Sequence, residues 1–217
     1  MKTLGIGSLP HHSIKDATDY SLKHTMPFLP QMTSHRERMI SQVLTSKDLR
    51  EKYIALEIFT EKIIEKKIVD FKIQIAGPQT CKVDKKIILN EINQFLNYFE
   101  KHKLHPIVFI DEPVFNQNSE QLKNKFDELK NLNVVCGFHS CANFEWKLTE
   151  QLNSDYLSFD LGIISPPAKF QQILVTGIPP FSNKQFQVSG EWISSSCGLA
   201  MFTEDECEII LKNLESY

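Results

Sequence analysis

Two potential metal ligands stand one residue apart in the stretch GFHSCANF, where His139 and Cys141 follow an apolar run. Residues at positions i and i+2 of an extended chain point to the same side. A second thiol, Cys197, follows another apolar run in EWISSSCGL. One imidazole and two thiolates suit Zn²⁺, which prefers tetrahedral nitrogen and sulfur ligands. These residues predict a zinc site with a position left for substrate, and Asp160 in DYLSFDL is a candidate fourth ligand.

Each of these residues also has an ordinary structural explanation. A single histidine at a strand end is commonly a hydrogen-bonded or exposed residue, and a single cysteine commonly packs as a small apolar side chain. The zinc prediction therefore depends on the whole set and not on any one member. Of the other cysteines, Cys136 and Cys207 are expected in the core.

Two adjacent carboxylates, Asp111 and Glu112, follow the strongest apolar run in FIDEPVF. Neighbouring residues of an extended chain face opposite ways, so one of the two should face a site. Both are candidate catalytic residues, because a carboxylate there could bind an ammonium group or act as an acid or base. The structural alternative is an ion pair that ends the strand.

The stretch GIGSLPHH near the start of the chain is a candidate substrate-binding loop. Ser8 and the backbone N–H groups around Gly7 could bind a carboxylate or a phosphate. The spacing does not match G-x-G-x-x-G, so a dinucleotide site is not predicted.

The elements that must position these residues are short apolar runs that alternate with stretches of helical period. The eight runs are KTLGIGSL, PFLPQM, FKIQIAG, PIVFIDEP, NVVCGFHS, DYLSFDL, ILVTGIPP and EWISSSCGL. Helices are predicted from Ser13, over residues 84–103 and from a capping box at Thr203 and Glu206. Parallel strands need helical crossovers, so this alternation predicts an α/β protein with a parallel sheet.

Eight such units predict a compact (β/α)8 TIM barrel that forms a single domain over residues 1–217, with some helices shortened. The alternative is an open doubly wound sheet, which the periodicity of the sequence does not exclude. In a barrel of this kind the working face lies at the carboxyl ends of the strands. All of the candidate residues follow their apolar runs at that end, and this agreement strengthens each assignment.

Composition narrows the range of functions. The 217 residues carry a net charge of −3, which does not attract nucleic acid or an anionic membrane. No stretch is apolar enough for a membrane span or a signal peptide. Five cysteines without a disulfide spacing indicate reduced thiols, and we expect a cytoplasmic protein.

Four motifs in this order, GIGSLPHH, FIDEP, HSC and SSSCGL, resemble the catalytic barrel of the cobalamin-independent methionine synthase family. That family shares a superfamily with uroporphyrinogen decarboxylase and the zinc-dependent corrinoid methyltransferases. The resemblance spans nearly the whole chain. It implies a (β/α)8 barrel in which zinc activates the thiol of homocysteine to receive a methyl group.

The resemblance also implies roles for single residues. The zinc ligands of the family fall on His139, Cys141, Asp160 and Cys197, and the family has a glutamate where this chain has Asp160. The residue that binds the substrate amino group falls on Asp111, and the one that contacts its carboxylate falls on Ser8.

The expected partners are a small thiol and a methyl donor. The full synthase builds its folate site from two barrels, so a corrinoid protein or another non-folate carrier is the expected donor. One alternative is a non-catalytic barrel that binds zinc or a thiol. A less favoured one is a decarboxylase of the sister family, which needs arginines for several acetate groups, whereas this chain has only Arg36, Arg38 and Arg50.

Overall fold

A seven-stranded parallel sheet organises the chain, with strand order β1-β9-β8-β7-β6-β5-β4. The computed structural model describes residues 1–113, 120–131, 133–167, 169–182, 184, 186–188 and 190–217. The sheet strands are β1 (Lys2–Thr3), β4 (Lys72–Ala76), β5 (Ile107–Asp111), β6 (Cys136–Ser140), β7 (Tyr156–Asp160), β8 (Ile173–Ile178) and β9 (Trp192–Ser195). Strands β2 (Ser8–Leu9) and β3 (Gln31–Met32) form a separate parallel pair.

The helices that connect these strands range from one turn to four. They are α1 (Ile14–Ser21), α2 (Met39–Leu44), α3 (Leu49–Lys52), α4 (Leu56–Glu65), α5 (Pro78–Cys81), α6 (Lys85–Glu100), α7 (Glu120–Asn131), α8 (Trp146–Glu150) and α9 (Glu204–Glu215), with a 3-10 helix at Thr33–His35. The predicted caps are confirmed: Ser13 caps α1, and Thr203 and Glu206 form a capping box on α9. Within the described residues, no helix is long and apolar enough to cross a membrane.

The prediction of a closed (β/α)8 barrel is wrong, although the α/β class and the parallel strands are correct. The ladder is interrupted where the second strand was expected, in the run PFLPQM. Toward the main sheet the chain here makes only isolated bridges, from Met26 to Leu4 and from Phe28 to Lys72. Its last two residues, Gln31 and Met32, pair with β2 outside that sheet. Proline has no backbone N–H, so Pro27 and the proline at position 30 prevent a continuous ladder there. The result is a curled, open sheet whose two edge strands flank this segment.

The helical crossovers are also incomplete on one side of the sheet. Between β7 and β9 the described residues form no helix. The molecule therefore lacks the eightfold repeat of strand and helix that defines a closed barrel.

The two faces of the curled sheet differ in chemistry. The convex face packs apolar side chains such as Val108 and Ile110 against the helices, in the main core. The concave face begins with a smaller apolar cluster at the amino ends of the strands, formed by Leu4, Met26, Ile107, Phe109 and Val175. Because successive strand residues alternate between faces, the residues that follow on the concave face are mainly polar.

A row of aromatic rings supports the segment after β1. The ring centroids of His11, Tyr20, His24 and Phe28 follow one another at 5.1–5.2 Å. The last ring lies directly on Gly5, where a Cβ atom would come within 2.0 Å of it. Only glycine allows this close approach, which fixes the start of the candidate substrate-binding loop.

The histidine in this row predicts a loss of stability in acid. Burial lowers the pKa of His24 to about 4, from an ordinary value of 6.5. The unfolded chain therefore binds more protons between these two values, and stability is lost as the pH falls through them. We expect the free energy of unfolding to be about 2 kcal/mol lower at pH 5 than at pH 7 through this residue alone.

The variant His24→Phe keeps the ring contacts and cannot be protonated. Chemical denaturation at both pH values should therefore show a smaller difference in the variant than in the wild type. Equal pH dependence in the two proteins would show that His24 is not the residue responsible.

Candidate functional site

Two thiols meet at the carboxyl ends of strands β6 and β9. The Sγ atoms of Cys141 and Cys197 lie 4.0 Å apart, and both cysteines are free thiols. The hydrogen bond between the sulfurs lowers the pKa of Cys197 to about 6 and raises the pKa of Cys141 above its ordinary value. At neutral pH the pair therefore carries one thiolate, which is the nucleophilic and metal-binding form of cysteine.

His139 precedes this pair on the same face of β6. Its side chain is buried, and Nδ1 lies 2.9 Å from the Ser158 hydroxyl on β7. Burial, together with the smaller effect of the positive charge of Lys72, lowers the pKa of His139 to about 3. The imidazole is neutral at physiological pH, which is the form that binds metals, and the hydroxyl contact orients its ring.

Asp160 ends β7 on the concave face, one strand away from His139. Its Oδ1 atom accepts a hydrogen bond of 2.7 Å from the backbone N–H of Gly162. Burial raises the pKa of Asp160, and hydrogen bonds from Gly162 and Ser196 lower it in part. The carboxylate is thus held by the turn that follows β7.

The structure therefore assembles only part of the predicted zinc site. In the described part of the chain, no group of three or more His, Cys, Asp or Glu side chains is arranged so that it could hold a metal ion. The two sulfurs are together, while His139 and Asp160 stand at neighbouring strand ends.

The adjacent carboxylates Asp111 and Glu112 face opposite ways, as predicted. Asp111 lies on the concave face, is almost completely buried, and has no hydrogen-bond partner on either oxygen. Burial raises its pKa to about 7, and the charge of Lys72 opposes this rise. An ammonium group is a suitable partner for such a carboxylate, because it supplies both a charge and N–H donors.

Glu112 is directed at helix α5. Its carboxylate accepts hydrogen bonds from the backbone N–H groups of Gln79 and Thr80, at 2.9 and 2.7 Å, and from the Thr80 hydroxyl at 2.6 Å. A Cβ atom on Gly77 would come within 2.1 Å of Oε1, so the carboxylate also packs closely against the end of β4. These contacts occupy Glu112 at the start of α5, where it caps the helix.

The loop that carries Gly7 and Ser8 lies next to the thiols. Gly7 has a φ of +107°, and a Cβ atom there would come within 1.5 Å of the Gln74 side chain. Ser8 lies against the residue after Cys197, because a Cβ atom on Gly198 would come within 1.8 Å of its Oγ. The Ser8 carbonyl also accepts a hydrogen bond of 2.8 Å from the backbone of Leu199. The chain thus places Ser8 beside the second cysteine.

Lys72 was not predicted as a site residue, and it is fully buried on the concave face. Its Nζ atom donates a hydrogen bond of 2.9 Å to the Gly5 carbonyl and lies 4.6 Å from the centre of the Phe109 ring. Burial lowers its pKa to about 8. The signal in the sequence is the alternation in FKIQIAG, which puts Lys72 on the face opposite Ile73 and Ile75.

Comparison with known proteins does not identify the chain. No protein-family model matches it, and no match was found among curated proteins.

Proposed function

We propose that this protein is a zinc-dependent methyltransferase that moves a methyl group to a thiol such as homocysteine. The observation that carries the proposal is the pair of thiols, Cys141 and Cys197, whose sulfur atoms lie 4.0 Å apart on the loops that follow β6 and β9. The motifs that resemble cobalamin-independent methionine synthase support the same function. A corrinoid or another non-folate carrier is the proposed methyl donor.

The donor set has the chemistry that zinc requires. Two thiolates at the usual Zn–S distance of about 2.3 Å in tetrahedral geometry are separated by about 3.8 Å. The observed separation is close to this value. In the proposal Cys141, Cys197 and His139 would hold the metal, and Asp160 would be a fourth ligand that a substrate thiol could displace. Bound zinc would lower the pKa of a substrate thiol, so that a thiolate is present at neutral pH.

The rest of the site would hold the amino-acid end of the substrate. The unpartnered oxygens of Asp111 suit the ammonium group. Ser8, which lies beside the second cysteine, would contact the carboxylate. Holding two reactants in a fixed orientation supplies a large share of the rate gain in transfer reactions.

The proposal is tested by incubating the purified, zinc-loaded protein with homocysteine and separate methyl donors, including methylcobalamin and methyltetrahydrofolate. Methionine formed above the uncatalysed rate, measured by mass spectrometry, is the expected result. Tight zinc binding without methionine from any donor would contradict the methyltransferase proposal and favour a non-catalytic zinc- or thiol-binding protein.

A further inference from the structure

Lys72 is a buried cation whose position is set by four contacts, two of its backbone and two of its side chain. Its backbone N–H donates to the Pro27 carbonyl and its own carbonyl accepts from Leu29, at 2.7 and 2.8 Å. Its ammonium group donates to the Gly5 carbonyl and lies over the ring of Phe109. A buried charge is costly unless another charge compensates it, so the position requires an explanation.

The compensating charge is Asp111, which Lys72 does not contact directly. Neither carboxylate oxygen of Asp111 has a hydrogen-bond partner, although the charge of Lys72 acts on the carboxylate. The ammonium group lies 4.6 Å from the centre of the Phe109 ring, and Phe109 is two residues before Asp111 on the same face of β5, so both charges lie on the concave face. The two charges thus compensate each other across a gap.

The separation between the Lys72 ammonium group and the Asp111 carboxylate affects how Asp111 can bind a ligand. A direct ion pair would occupy the carboxylate and leave it unable to bind a ligand. A carboxylate with no nearby cation would be costly to bury as an anion. The observed arrangement avoids both costs. Lys72 compensates the charge of Asp111, while the two oxygens of Asp111 stay unpaired.

We propose that Lys72 is a positioning residue, a fixed counter-charge that is offset from Asp111, stabilises its buried carboxylate and leaves both oxygens available to the ammonium group of an amino-acid ligand. Through Gly5 the same side chain also anchors the loop that leads to Ser8. The identity of the ligand rests on the function proposed above. The compensation of charge between Lys72 and Asp111 does not depend on that function.

Binding of two ligands to the zinc-loaded protein tests the inference by calorimetry. Homocysteine carries the ammonium group, and 4-mercaptobutanoate is the same thiol acid without it. In Lys72→Met we expect homocysteine affinity to fall at least about tenfold, as for the loss of a charge-assisted hydrogen bond, with 4-mercaptobutanoate affinity unchanged. An equal loss of affinity for both ligands, or an unchanged affinity for homocysteine, would overturn the inference.

A matched control is available in Lys52→Met. Lys52 is also buried and pairs with Glu91 at 2.6 Å, between helices α3 and α6. This variant loses a buried lysine and should lose stability, but the ratio of the two affinities should stay at the wild-type value. A change in the ratio of the two affinities in Lys52→Met would show that general destabilisation explains the effect of Lys72→Met, and it would overturn the inference.

A double-mutant cycle on the metal-free protein provides a test that needs no ligand. If Lys72 compensates Asp111, then adding Asp111→Asn to Lys72→Met should restore part of the lost stability, or restore folding if the single variant does not fold. No recovery would show that Lys72 has a purely structural role. If the wild type binds neither thiol, the proposed function fails, and the cycle still decides the role of Lys72.

Discussion

Replacing Cys197 with alanine is expected to lower zinc affinity by at least about 100-fold and to abolish methyl transfer. Removing a residue that only supports a metal ligand typically costs roughly 10–100-fold in metal affinity, so loss of a ligand should cost more. Cys141→Ala should have the same effect, because the two sulfurs lie together at 4.0 Å. Zinc content after dialysis against a weak chelator, measured by atomic emission, gives the result directly.

Cys207→Ala is the matched control for these variants. Cys207 is a buried thiol on helix α9 that packs in the convex-face core. Its removal should cost some stability and leave the zinc content at the wild-type value. Wild-type zinc content in both Cys141→Ala and Cys197→Ala would show that the thiol pair is not the metal site.

Replacing Asp111 with asparagine is expected to weaken homocysteine binding by roughly 10- to 100-fold, because hydrogen bonds to charged groups contribute about 1.5–3 kcal/mol. The variant keeps the shape of the side chain but loses the negative charge that the ammonium group needs. Affinity for 4-mercaptobutanoate should change little. Calorimetric titration of the zinc-loaded variant with both ligands measures the two effects.

The neighbouring carboxylate supplies the control for this experiment. Glu112→Gln weakens the three hydrogen bonds to Gln79 and Thr80 and should lower the melting temperature. Because Glu112 is directed at helix α5, homocysteine affinity should stay within about twofold of wild type. Equal losses of affinity in Asp111→Asn and Glu112→Gln would contradict the assignment of the binding carboxylate.

The sequence predicted most of the strands and the edge of the sheet at which the candidate residues lie, for a physical reason. Runs such as PIVFIDEP are buried on both faces of a parallel sheet, and such strands have a distinctive apolar composition. Polar residues directly after these runs must lie at the carboxyl edge of the sheet. This reasoning placed Asp111, His139 and Cys141 at the ends of their strands, where the structure also has them.

The closure of the sheet could not be predicted from the number of apolar runs. PFLPQM has the composition of a short strand, but its two prolines remove the N–H donors that a ladder needs. The burial of Lys72 was missed because lysine is almost never fully buried unless it is paired. The direction of Glu112 depends on helix α5, which packs against the strand end and is too short to show a helical period.

The most direct test of the proposed site is zinc X-ray absorption spectroscopy on the zinc-loaded protein before and after homocysteine is added. We predict two sulfur ligands, from Cys141 and Cys197, in the free protein. A third sulfur ligand is expected when homocysteine binds. Fewer than two sulfurs in the free protein, or an unchanged number after homocysteine has bound, would contradict a zinc centre that activates a substrate thiol.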